Sequence, residues 1–192
     1  MKTNPVLALA AVLAVAALGA GCSSSDTAGK ANKGALAVHM GATGSMPALQ
    51  GGVASPGGPT AATVTISGAA ARQIDGAWVN VGGTFPMTVD LIALAANGNT
   101  FNIPAGLVPE GQYNALQLTI TAVNLTLQDG TPVAITPPGT GWVVLIPVDF
   151  TVNSGKETSV TLRFHVDGSF KILGGDLVFE PDVDVEGVQH ED

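Results

Sequence analysis

From Thr63 onward, apolar and polar residues alternate with a period of two, the pattern of strands with one face in a core and the other in water. Val64 and Ile66 share one face, and Thr63, Thr65 and Ser67 share the other. Phe85, Met87, Val89 and Leu91 repeat the theme, and Phe101 and Ile103 mark another strand. Residues 90–96 predict a short helical turn ending at Asn97-Gly98. Leu116, Leu118 and Ile120 have one phase while Val123, Leu125 and Leu127 have the opposite one, so a bulge or bend is expected near Ala122. Asp129-Gly130 carries the signal of a tight hairpin joining residues 124–127 to 133–135. Residues 142–152 are nearly continuously apolar, as a central strand would be, and Val160, Leu162, Phe164 and Val166 alternate cleanly with polar neighbours. Turn signals at Asp167-Gly168 and Gly174-Gly175 separate two final strands, the last carrying Leu177, Phe179, Val183 and Val185 on one face.

Many short strands, frequent turns and single-faced polarity predict an all-β fold, an antiparallel two-sheet sandwich with a short helical turn at 90–96. A closed barrel is the alternative. A membrane barrel fits poorly, because the strands are short and aromatic girdles are absent. Leu36, Val38 and Met40 place the first strand face before a low-complexity stretch at 41–62, rich in Gly and Pro, which reads as a long surface loop within a domain spanning 34–192.

The first 21 residues differ in kind. A basic Lys2, an apolar run at 6–18 and the small residues Gly19, Ala20 and Gly21 lead to Cys22, the one cysteine. The apolar run would rise about 20 Å as a helix, short of the roughly 30 Å hydrocarbon core, so a cleaved signal is expected in place of a permanent span. Leu18-Gly19-Ala20-Gly21-Cys22 resembles the bacterial lipobox, which implies cleavage before Cys22 and lipid on its thiol; an ordinary secretory signal with a free thiol is the alternative. Residues 22–33 then form a small, polar tether, and Ser23 after the cysteine favours the outer membrane by analogy with bacterial sorting rules.

Charge narrows the partners. Seven Lys and Arg stand against 15 Asp and Glu, a formal charge of −8 that becomes more negative once Lys2 is removed. Nucleic acid is therefore not an expected partner, since phosphate binding needs clustered cations.

With these residues in view, the chain resembles the bacterial lipoproteins called domain of unknown function 4382. The likeness lies in Gly34-Ala35-Leu36-Ala37-Val38, Val64-Thr65-Ile66-Ser67, Trp78-Val79-Asn80-Val81, Asp90-Leu91-Ile92-Ala93-Leu94, Ile103-Pro104-Ala105-Gly106, Pro109-Glu110-Gly111-Gln112-Tyr113 and the strand at 160–166. The segment at 109–113 is also similar to the Pro-x-Gly-x-Tyr turn of prealbumin-like sandwiches. The resemblance implies a prealbumin-like fold and an envelope address, and carries no catalytic residues.

Chemistry is sparse. No Gly-x-Ser-x-Gly elbow or His-Glu-x-x-His occurs, and His39, His165 and His190 lie on different elements, so no enzyme is expected and no catalytic residue is assigned. Gly155-Lys156-Glu157-Thr158 lacks the leading glycine of a phosphate loop, with Phe150 in its place, and reads as a turn. Glu180, Asp182, Asp184 and Glu186 would line one face of a strand about 6.6 Å apart, a candidate calcium face or a solvated edge. Trp78, out of phase with Val79 and Val81, and Tyr113 are candidate aromatic platforms for a glycan, against the reading of an aromatic packed beneath a loop. The function expected is a non-catalytic envelope module held by the membrane lipid on Cys22 and acting through protein or matrix contacts. The alternative is a carbohydrate-binding or calcium-dependent ligand-binding domain.

Overall fold

The alternating stretches become strands wherever their inward rows can share one core. The computed structural model describes residues 32–47, 58–174 and 176–191. The signal at 1–21, Cys22, most of the tether and residues 48–57 of the low-complexity stretch lie outside the described residues. The elements run β1 (Lys33–Thr43), β2 (Pro59–Gln73), β3 (Trp78–Asn80), β4 (Met87–Asp90), α1 (Leu91–Asn97), β5 (Phe101–Pro109), β6 (Gly111–Leu127), β7 (Pro132–Ile135), β8 (Trp142–Val152), β9 (Glu157–His165), α2 (Val166–Ser169), β10 (Phe170–Leu173), β11 (Asp176–Phe179) and β12 (Val183–His190).

Two sheets pack face to face. One has the order β12-β9-β1-β5. The other is built on the long β2–β6 pair, with β3 and β4 along the free side of β2 and β7 and β8 along the free side of β6. Inward residues of both sheets, Val38, Met40, Leu162 and Phe164 from one and Val64, Ile66, Leu118 and Ile120 from the other, belong to one buried cluster. The β10–β11 hairpin stands apart from both sheets.

The sandwich is all-β with short helices, and several local expectations hold. α1 begins where Asp90 accepts hydrogen bonds from the backbone N–H of Ile92 at 3.0 Å and Ala93 at 3.3 Å, and ends at Gly98 in the left-handed region. The same carboxylate accepts from Ala62 N–H of β2 at 3.1 Å, fixing the helix to the sheet. The phase reversal in β6 is a bulge: Thr65 faces Ala122 and Ile66 faces Ile120, leaving Thr121 as the extra residue.

Other expectations need correction. The sheets are not wholly antiparallel, because β1 and β9 run parallel from Ala35 opposite Glu157 to Thr43 opposite His165. A parallel neighbour needs a long crossover, and here the crossover includes the second sheet. β8 is not central. It pairs with β6 alone; Ile146, Phe150 and Val152 point into the core, while Val143 and Leu145 are 64% and 57% exposed. Pro147, which has no N–H to offer, interrupts this edge. The last expected strand is two, divided by Pro181: β11 closes a hairpin with β10, and β12 joins the main sheet beside β9. A helical turn, α2, stands where a simple turn was expected at Asp167-Gly168. The loop expected at 41–62 is shorter, since β1 runs to Thr43 and β2 starts at Pro59.

Where the edges of the two sheets meet, Gly82, just past β3, lies against Gly106 of β5, and a Cβ on either would fall on the backbone of the other. Gly106→Ala is expected to lower stability by about 3 kcal/mol in urea unfolding, because neither backbone can yield without separating the sheets. Gly68→Ala, which meets open space, should change it by less than about 0.5 kcal/mol.

Candidate binding cleft

β6 presents one free side to two partners in succession. β8 takes residues 111–120 and β7 takes 123–126, with the bulged Thr121 between them. The connection from β7 to β8 therefore doubles back across this break, and Gly141 within it sits so close to the Ile120 carbonyl that no side chain fits. The β10–β11 hairpin approaches from the other sheet, leaving a cleft of about 850 Å³.

The floor of the cleft is aromatic. Trp142, at the start of β8, meets Phe179 of β11 edge to face, with centroids 5.1 Å apart and planes at 88°; Phe179 in turn packs on Phe170 at 5.0 Å. Ile135 and Leu177 widen this floor, and Pro137, Pro138 and Pro181 stiffen the walls. Asp176 and Glu180 are the ionisable side chains in the lining. Glu180 accepts a hydrogen bond from Lys171 Nζ at 2.7 Å; that bond, and then the charge of Glu180, hold the Lys171 ammonium above the ordinary lysine range. Such a cleft suits binding, with an apolar body seated and a polar rim to orient it.

The residues singled out from sequence do not gather here, Glu180 excepted. Trp78 is 44% exposed on β3, and Ile74, in the preceding turn, is 66% exposed. Tyr113 is no platform: it is 1% exposed, stacked on Phe150 at 5.1 Å and 7°, and its hydroxyl donates to the Pro109 carbonyl at 2.7 Å. The reason is register, since Tyr113 opens the inward row of β6, and its hydrogen bond four residues back pins the β5–β6 corner. Burial, chiefly, and the nearby charge of Asp75 push its phenol above the ordinary range, against a hydrogen bond with Gln73 that pulls it down.

The four carboxylates are exposed, but they are not one strand face. Glu180 and Asp182 lie in the β11–β12 connection, and only Asp184 and Glu186 are on β12. Asp184 meets His165 Nε2 at 2.9 Å, Glu186 pairs with Arg163, and Glu180 is held by Lys171. Among the described residues no three His, Cys, Asp or Glu side chains converge to hold a metal ion. The histidines are likewise spread over β1, β9 and β12, each bonded to a neighbouring strand's side chain: His39 to Asn102, His165 to Asp184 and His190 to Thr158.

The cleft escaped sequence reasoning because its walls are distant in the chain and meet only when the hairpin folds back. Pro137-Pro138, two residues after Ile135, and Pro181, two residues after Phe179, are the signals that mark it.

A family model described as "Domain of unknown function (DUF4382)" matches residues 54–181, more than half of the chain and the whole lining of the cleft. No curated protein and no solved structure matches.

Tyr113 is the one tyrosine in the chain, so ultraviolet titration of tyrosinate reads it alone. An unfolded phenol ionises near pH 10, about the ordinary value; the stability that Tyr113 supports is full below that pH and is lost as pH rises toward its higher folded value. Ionisation is expected only above about pH 10 and together with unfolding. A midpoint at the ordinary value in the folded protein would count against the buried corner. Tyr113→Phe should cost about 1 kcal/mol.

Proposed function

We propose that this chain, which belongs to the family described as domain of unknown function 4382, is a non-catalytic, lipid-anchored module of the bacterial cell envelope that docks a protein partner in its cleft. The observation that carries this reading is polarity. Lys33 lies beside Pro109 and Ala35 beside Glu157, so the chain enters the sandwich at the end where β9 begins. β9 runs away from that end to His165, and the hairpin that walls the cleft follows it. A lipid on Cys22 would tether the sandwich through its entry end, and the cleft is at the end where β9 finishes. The lipobox-like sequence, the tether and Ser23 support outer-membrane anchoring, and the corner at 109–113 supports a prealbumin-like arrangement of the strands.

The chemistry supports binding over catalysis. On the outer face of β9 and β12, Arg163 pairs with Glu186 and His165 is hydrogen-bonded to Asp184, and the cleft itself offers an aromatic floor, proline walls and no histidine. A second reading, a glycan contact, rests on exposed Trp78 with Ile74 beside it in sequence; Tyr113 has no part in it.

A photo-crosslinking residue at position 177 in intact cells is expected to yield a discrete protein adduct, with none at exposed Gln189 near the entry end. Cys22→Ser should abolish both fatty-acid labelling and the adduct. Equal crosslinking from 177 and 189 would overturn the docking reading, and labelling that survives Cys22→Ser would overturn the anchor. For the glycan reading, Trp78→Ala should end retention on envelope polysaccharide; a wild-type domain that is not retained rejects it.

A further inference from the structure

We infer that the cleft selects a cationic segment of its partner: an aliphatic or aromatic residue seated on Trp142 and Phe179, followed or preceded by a lysine or arginine held by Asp176 and Glu180. This rests on the docking reading and specifies its ligand. The argument is charge complementarity at a shaped site. Among the described residues the lining carries two carboxylates, Glu180 paired with Lys171 and Asp176 outside the ion pairs, and no cation of its own, on a protein whose formal charge is −8, so an approaching acidic segment is repelled and a basic one is drawn in. Asp176 closes the β10–β11 hairpin opposite Leu173 and Glu180 follows β11 directly; both are on the exposed row, alternating with Leu177 and Phe179, and both line the cleft. A lysine or arginine suits this spacing because its aliphatic stem can lie on the aromatic floor while its charged head reaches the rim. Glu180 already accepts from Lys171, and the flexible ammonium of Lys171 can turn to water when a ligand cation takes its place.

The test is selection from a random peptide display library on the full-length protein in detergent, followed by titration of synthetic versions of the enriched peptides. Trp78→Phe leaves Trp142 as the one tryptophan and the fluorescence reporter. Enriched sequences are expected to pair a lysine or arginine with an apolar neighbour. Their affinity should fall roughly tenfold in Asp176→Asn/Glu180→Gln and further at high salt. Asp176→Asn alone, which breaks no ion pair, should give part of that loss with an unchanged unfolding temperature. Enrichment of purely apolar or acidic peptides, or binding indifferent to both variants, overturns the cation assignment and leaves the cleft a docking site. No enrichment, with Trp142 fluorescence unmoved, overturns docking itself.

Discussion

The register of β6 is the constraint on which the rest of the six-stranded sheet depends. Its 17 residues would extend roughly 55 Å, longer than one twisted strand can keep a single row against one core. The extra residue at Thr121 reverses the inward row, so that Leu116, Leu118 and Ile120 and then Val123 and Leu125 are all buried. The same residue breaks the free edge, so one strand no longer covers it. β8 and β7 each take a part, the connection between them must cross the gap, and the cleft opens there. Site and core thus have a common origin.

Charge is organised by the second sheet. Among the described residues two ion pairs, Arg163–Glu186 and Lys171–Glu180, and the His165–Asp184 hydrogen bond occupy the region around β9, β12 and the β10–β11 hairpin, Arg163–Glu186 and His165–Asp184 linking β9 to β12 across its outer face. Exposed pairs of this kind add little stability individually. Their effect is to keep the acidic residues of an edge strand from repelling one another while leaving it charged, a deterrent to strand addition by another chain. At the cleft rim Glu180 is paired with Lys171, whereas Asp176 has no such partner among the described residues.

What could be read from the sequence was local. The helix at 91–97 is announced by its Asp90 cap and Gly98 terminator, and the bulge by a phase reversal within one strand. What could not be read was how segments distant in the chain meet. A continuous apolar run looks the same in a central strand as in β8, whose outer row faces water. Alternating carboxylates look like a cation site until Arg163 and His165 arrive from the neighbouring strand, and Tyr113 looks like an exposed aromatic until Phe150 stacks on it. The parallel β1–β9 pair and the walls of the cleft depend on the order in which sheets are assembled, and no window of sequence carries that.

The place of β1 has a mechanical consequence. β1 lies between β5 and β9 and is hydrogen-bonded along both sides. Under the proposed anchoring and docking, a pull between membrane and partner would act along its length, loading those bonds together in shear instead of peeling them one by one. The domain would then resist tension best along the line that joins its anchor to its cargo.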